Sequence, residues 1–222
     1  MIAQRTLTQL RAAAPPKNWL RTALMAFAAV LLLIAILALV RPGPSKNGRI
    51  GPVLSGVFTP QVQYWSPLIY AWSQAYNVDP NLIATVIQIE SCGDPSAVSR
   101  SGAQGLFQVM PGHFGAGEDM LAVVTNGRRG MEYLSQALQK ASGDAKAALA
   151  GYNGGHGLIG KDQSEWPAET QRYIRWGIGI YDDAVNGQSS STTMQAWLDA
   201  GGSSLCAKAA AQQHAANAVG RF

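Results

Sequence analysis

In the stretch IQIESCGDP, residues 87–95, a carboxylate closes a helix that is otherwise apolar. Asp79-Pro80 opens that helix, with an acceptor at the N-cap and a proline at the first helical position. Leu82, Ile83, Val86 and Ile87 then fall at the spacing of one helical face, and the same stripe continues onto Glu90. The pattern therefore places Glu90 on the inward face. A carboxyl held there is dehydrated, keeps its proton more tightly than in water, and becomes a general acid at neutral pH. The competing reading is a surface glutamate in a frayed last turn, stopped by Gly93. The rest of the chain has to decide between the two.

The elements that would position Glu90 are helices. Ser66-Pro67 opens a segment with Ile69, Trp72 and Tyr76 on one stripe and Asn77 as its stop. Further helices are expected over 126–140, over 144–152 with Asp144 as cap, over 167–185, around 194–200 and from 203 toward 219. Between 91 and 117 lies a long stretch punctuated by Gly, Ser and Pro, of the kind that carries function more often than mere connection. No alternating β-branched run bounded by hairpin turns is present, so the fold class expected is mainly α.

A chain of 222 residues accommodates one packed domain with appendages. Its charge is divided unevenly: seven cations and no acid precede Ile50, so the remainder is net acidic and offers no basic surface for nucleic acid. Arg5, Arg11, Lys17 and Arg21 lie before an uninterrupted apolar run over 22–40, and Arg41, Lys46 and Arg49 after it. At ~1.5 Å per residue such a run matches the ~30 Å hydrocarbon core of a bilayer. It reads as an uncleaved, single N-terminal transmembrane helix, because it is long for a signal peptide and ends poorly for cleavage. The excess of cations before the run places the N-terminus in the cytoplasm and the domain outside. The expected organisation is a basic arm over 1–21, the anchor over 22–40, a Gly/Pro/Ser-rich tether over 41–60, the main domain over 61–185 and a C-terminal helical extension packed on it over 186–222. Outside the cytoplasm the two cysteines, Cys92 and Cys206, are expected to form a disulfide; two buried free thiols are the alternative.

The segment that follows Glu90, ESCGDPSAVSRSGAQGLFQVMP, resembles the lytic transglycosylases with a soluble-type, goose-lysozyme-like catalytic domain. The resemblance continues through ALAGYNGG at 148–155 and PAETQRYI at 167–174, and covers roughly residues 65–183. Blocks in this order are far more specific than any one of them. The resemblance implies a lysozyme-like helical domain in a bacterial cell envelope that cuts the β-1,4 bond from N-acetylmuramic acid to N-acetylglucosamine in peptidoglycan. Glu90 would be its catalytic acid and base. Ser91, Ser99, Gln108 and Met110 would bind substrate along the groove, and Tyr152, Asn153, Glu169 and Tyr173 would complete the site. Cys92 departs from the family pattern after Glu-Ser.

Glycosidases usually set two carboxylates ~5–9 Å apart across the scissile bond. In this sequence Asp94 precedes a proline in a turn and Asp182 and Asp183 close an amphipathic helix, positions that read as solvated charge. A single acid suits substrate-assisted cleavage: Glu90 protonates the leaving oxygen, and the substrate's acetamido group supports the positive centre. The muramic 6-hydroxyl then closes on the anomeric carbon to give a 1,6-anhydro sugar. Two other readings stay open at this level, a hydrolytic muramidase on the same fold and a non-catalytic wall-binding component of a secretion or conjugation apparatus.

The remaining features carry less. Gly155, Gly160 and Lys161 nearly match a phosphate-binding loop, but Asp162 stands where a Ser or Thr would be needed and no strand precedes it. His113, His156 and His214 lack metal-ligand spacing, so neither metal nor other cofactor is expected. Trp65, Tyr70, Trp72, Tyr76, Trp166 and Trp176 sit at spacings that favour core over sugar stacking.

Overall fold

The computed structural model describes residues 54–218; the apolar run over 22–40 and its basic flanks lie outside the described residues. The described chain is mainly helical. In order it forms α1 (Pro60–Gln63), α2 (Ser66–Tyr76), α3 (Pro80–Ser91), α4 (Val123–Lys140), α5 (Ala145–Gly154), α6 (Ala168–Val185), α7 (Thr192–Trp197) and α8 (Ser203–Ala218). Among the described residues no helix is long and apolar enough to cross a membrane.

Local chemistry sets the helix ends. Asp79 accepts from the Asn81 amide at 2.7 Å at the start of α3, and Asp144 accepts from the Ala147 amide at 2.8 Å at the start of α5. Ser191 caps α7 through the Met194 amide at 3.0 Å. α2 stops at Asn77, whose φ of 52° leaves the helical region, and α3 stops at Cys92, with φ 50°. α4 begins at Val123, three residues before the expected start, which makes its first turn part of the wall that holds the long loop.

α3 runs through the middle of the domain, against α1, α2, α6 and α8. Leu82, Ile83, Ala84, Thr85, Val86, Ile87 and Gln88 are all buried, so the helix is enclosed on every side rather than along one stripe. Thr85 and Gln88, two of its three buried polar side chains, are satisfied within the core. Thr85 Oγ1 donates to the Asn81 carbonyl at 2.8 Å, and Gln88 Oε1 accepts from both the amide and the hydroxyl of Thr59 at 3.1 Å. Each fully buried Ile or Leu contributes ~1.5–3 kcal/mol against exposure, enough to hold the helix in place against the entropy of ordering it. Trp72 of α2 packs edge-on to Phe107 with ring centroids 5.3 Å apart, which ties the long loop to the same core.

One boundary of the expected tether needs correction. Leu54, Val57 and Phe58 fall within 41–60 but are buried in the core, because the chain entering α1 lies against α3. The Gly/Pro/Ser composition of this stretch hides three large apolar side chains that a solvated tether would not bury.

After α7 a π turn, Leu198–Gly202, reverses the chain into α8. Cys206, Ala209 and Gln213 form the buried stripe of α8, following buried Gly202 at the end of the turn. Cys206 is disulfide-bonded to Cys92 across 114 residues of sequence, with Cα atoms 5.0 Å apart. Further along, Gln213 Nε2 donates to the Gln61 carbonyl at 2.9 Å and the Gly93 carbonyl at 3.3 Å. α8 is thus fastened at two points, both beside the end of α3.

Closing a loop this long restricts the unfolded chain, an effect of ~4–5 kcal/mol in the chain-entropy picture. Cys206→Ser is therefore expected to lower the denaturant midpoint of the oxidised protein, with a loss of ~2–5 kcal/mol. Equal midpoints for the variant and the oxidised wild type would mean that packing alone holds α8.

Candidate active site

The C-terminus of α3 is built for a sharp exit. Gly93, at φ +83°, follows Cys92, and a Cβ added to it would come within 2.6 Å of the Gln61 carbonyl oxygen. Trp65 Nε1 donates to the Gly93 carbonyl at 2.9 Å. Ser91 is almost fully buried; its hydroxyl donates to the Leu106 carbonyl at 2.8 Å and accepts from the Gly93 amide at 3.1 Å. Ser91 was expected to meet substrate. The structure instead commits its hydroxyl to backbone, so that it holds the helix end against the loop beyond.

That loop, residues 94–110, is fixed by side chains from three helices. Asn126 of α4 is fully buried; it accepts from the Phe107 amide at 2.9 Å and donates to the Gln104 carbonyl at 2.7 Å and the Met120 carbonyl at 3.0 Å. Tyr152 of α5 donates to the Phe107 carbonyl at 2.7 Å. With Ser91 on Leu106, these bonds leave residues 104–107 little freedom. Gly105, at φ +69°, passes so close to Asn126 that a Cβ would lie 2.6 Å from its amide group. Isolated bridges pair Val98 with Gln104 and Gln104 with Val109, and Gln108 turns at φ 46° between them. Gln108 Nε2 bonds the Ala97 carbonyl at 3.1 Å and the Gly105 carbonyl at 2.9 Å.

Glu90 sits where two recesses meet. One, of about 250 Å³, is lined by Glu90 with Ser99, Gln108, Met110, Tyr152, Asn153 and Glu169. The other, of about 370 Å³, is lined by Glu90, Ser91, Asp94, Ser99 and Gln108, together with Leu205 and Lys208 of α8. Eight of the nine residues expected at the site, all but Tyr173, therefore line these two adjoining recesses. Ser99 spends its hydroxyl on the Ala103 amide at 2.9 Å, while Met110 and Glu169 stand exposed on the rim.

Burial is the main electrostatic influence on Glu90, and it pushes the carboxyl from an ordinary 4.5 up to about 8. The nearby Tyr173 hydroxyl opposes this by favouring the ionised form, and Glu169 adds to it by repulsion. Tyr173 Oη is buried with no partner at hydrogen-bond geometry, although it lies near enough to influence the carboxyl. Burial and the neighbouring Glu90 raise both Tyr152 and Tyr173 well above the ordinary phenol value, so both are neutral donors at physiological pH. The arrangement can deliver a proton from Glu90 into the channel and stabilise the carboxylate left behind.

The sequence reading missed several contributors. Asn126 was legible as a polar residue on the apolar face of α4, but only the folded loop reveals its partners. Tyr133 lines a smaller recess with Met110, His113, Tyr152 and Asn153; its ring stacks on His156 at 4.1 Å and tilts against His113 at 4.6 Å. Leu205 and Lys208 could not be placed without the fold of α8. Among the described residues no group of three or more His, Cys, Asp and Glu side chains is arranged to hold a metal ion.

The family described as "Transglycosylase SLT domain" matches residues 67–174, the span from α2 through the first turns of α6. The match takes in Glu90 and the whole of the long loop that follows it. Over 118 residues, half of this chain and 40% of the relative, the chain is 37% identical to a protein named transglycosylase from Enterobacteria phage PRD1. It is 49% identical over 47 residues, 21% of this chain and 23% of the relative, to the endo-type membrane-bound lytic murein transglycosylase A of Klebsiella pneumoniae. The chain thus spans less than half the length of these curated relatives. A crystal structure of an inactive mutant of the lytic transglycosylase Slt from Pseudomonas aeruginosa aligns over 58% of this chain and 25% of that one, at 22% identity and a TM-score of 0.47.

A carboxyl raised from 4.5 to about 8 on folding binds its proton in the native state over a range where the unfolded chain has released it. The stability contributed by this group is full below the unfolded value and falls as pH rises through the folded one. Glu90→Gln removes that loss. Its stability relative to wild type is expected to increase between about pH 5 and pH 8, measured as denaturant midpoints across that range. A difference that does not change with pH would contradict the dehydrated carboxyl.

Proposed function

We propose that the chain is a peptidoglycan lytic transglycosylase that cleaves the bond from N-acetylmuramic acid to N-acetylglucosamine without water, leaving 1,6-anhydro-muramic ends. The observation that carries this reading is the half-buried Glu90 at the junction of two recesses, where burial raises its carboxyl above the ordinary range, within the span that matches the transglycosylase SLT family. The names of its relatives support the same substrate class.

In this mechanism the glycan lies along the channel with the scissile oxygen beside Glu90. Glu90 gives its proton to that oxygen as the bond to the anomeric carbon breaks. The positive charge that develops is met by the acetamido group of the same sugar, so no second protein carboxylate is required. The carboxylate formed on Glu90 gains a donor in the unpartnered Tyr173 hydroxyl. It then takes the proton of the 6-hydroxyl as that oxygen bonds to the anomeric carbon, which restores the acid. Gln108, Met110, Tyr152 and Asn153 line the wall and fix the orientation of the sugars. Ser91 acts indirectly, by keeping the end of α3 and the loop in register.

The placement of the protein is part of the same proposal. The apolar run over 22–40 anchors it once in the cytoplasmic membrane, with the SLT domain outside and the stretch after the run reaching toward the wall. Residues 186–222 are a helical extension of the domain.

Glu90→Gln is expected to fold and to lose activity by more than ~10²–10⁴-fold, since one group serves both proton transfers. The wild-type kcat/KM is expected to fall above about pH 8, where Glu90 ionises. Mass analysis of digested peptidoglycan is expected to give anhydro ends. Reducing ends would favour a hydrolytic muramidase, with Glu169 as the carboxylate to examine for water activation. Absence of cleavage with retained binding would favour a wall-binding component.

A further inference from the structure

The channel that contains Glu90 is not made by the SLT domain alone. The family match ends at residue 174, yet the larger recess is closed on one side by Leu205 and Lys208 of α8. On a helix these two residues, three apart, share an edge, and that edge adjoins the buried stripe of Cys206, Ala209 and Gln213. The stripe fixes the direction of the edge. Cys206 is bonded to Cys92, two residues beyond Glu90, and Gln213 is hydrogen-bonded to the carbonyls of Gln61 and Gly93. Buried Gln88 lies beside both sulfurs, with its Nε2 3.1 Å from Cys92 Sγ and 3.7 Å from Cys206 Sγ. α8 therefore cannot roll or slide without breaking contacts at the base of the catalytic-type helix.

Lys208 is exposed, and among the described residues it forms no ion pair. It is the one cation among the residues lining this recess. Of the two acids in the lining, Asp94 is buried and its Oδ1 accepts from the Ser96 amide at 2.9 Å and the Ser96 hydroxyl at 2.8 Å, while Glu90 is the carboxyl whose proton burial retains. The rest of the lining is Gln108, three serines, Ala97, Val98 and Leu205, so Lys208 supplies the positive charge that an anion entering this recess would meet.

We propose that Lys208 is a specificity-determining residue that binds a carboxylate of the peptide stem carried by the glycan, with α8 serving as a disulfide-fastened wall for that stem. The inference rests on the reading of the substrate as peptidoglycan. In that polymer the peptide, joined through the lactyl ether of muramic acid, supplies free carboxylates beside an otherwise uncharged sugar chain. Leu205 gives the aliphatic part of the stem an apolar ledge next to the charge.

The experiment uses the whole chain and two substrates, glycan strands whose stems keep their free carboxylates and the same stem-bearing strands with those carboxylates converted to carboxamides. Wild type is expected to prefer the glycan with free carboxylates through KM, and the preference is expected to shrink as salt is raised. Lys208→Gln is expected to reduce that preference by about three- to fivefold, the scale of one partly exposed ion pair, and Lys208→Glu to reduce it further. An unchanged preference in Lys208→Gln overturns the proposal. Equal weakening toward both substrates also overturns it, since that is the signature of a purely structural lysine. Calorimetric binding of both glycans to Glu90→Gln separates the inference from the proposed activity. Binding that depends on the free stem carboxylates and requires Lys208 supports the inference even if wild type cleaves nothing, whereas failure of wild type to bind either glycan removes both readings.

Discussion

A carboxyl group holds its proton toward neutral pH where its hydration is reduced, and here that reduction follows from where α3 ends, with Glu90 half-buried at the edge of the channel. Seven consecutive buried residues, Leu82 to Gln88, hold the helix inside the domain, and Glu90 emerges two residues later into a channel whose walls are already in place. The raised pKa is thus a property of the packing. It depends on α3 being enclosed by α1, α2, α6 and α8, and on the abrupt exit at Cys92 and Gly93 that keeps the last turn from fraying. Dehydrating a carboxyl opposes folding. The apolar area buried along α3 offsets that cost, which is why the acid lies at the end of the most buried helix rather than on a surface one.

The long loop is the second half of the site, and it contains almost no regular structure of its own. Its order is borrowed: Ser91, Asn126 and Tyr152 bond the backbone of residues 104–107, and Trp72 packs on Phe107. Each of these bonds contributes ~1 kcal/mol net, but leaving the buried Phe107 amide unpaired would cost ~1–3 kcal/mol. The left-handed turn at Gln108 persists because its surroundings determine it, with the side-chain amide bound back to the loop on either side. α8 completes the channel from outside the SLT domain, and the disulfide joins that outer wall to the helix that presents the acid.

Much of this was legible in the sequence, for identifiable reasons. Helix starts were marked by Asp79-Pro80, Ser66-Pro67 and Asp144, whose capping chemistry is local, and Asn77 marked a stop in the same way. Glu90 stood out because it continued an apolar stripe. Even so, the stripe was an incomplete account, since α3 is buried on all faces and its polar Thr85 and Gln88 are buried too. The tether was drawn too long because Gly and Pro dominate its composition, while the burial of Leu54, Val57 and Phe58 depends on distant partners. Ser91 was placed correctly beside the acid, but its hydroxyl faces backbone, a distinction that sequence neighbours do not encode. Asn126, Tyr133 and Lys208 were missed for one shared reason. Each acts through residues far away in the chain, and no local spacing records such a meeting.

Direct titration of the Glu90 side-chain carbon by NMR, in protein labelled at glutamate, tests the central claim more closely than any rate. The signal can be assigned by its loss in Glu90→Gln. The account predicts a single group with a midpoint at about 8 in the folded protein, collapsing toward 4.5 when the chain is unfolded. A folded-state midpoint near 4.5 would mean that water reaches the carboxyl and that the channel holds an ordinary surface glutamate.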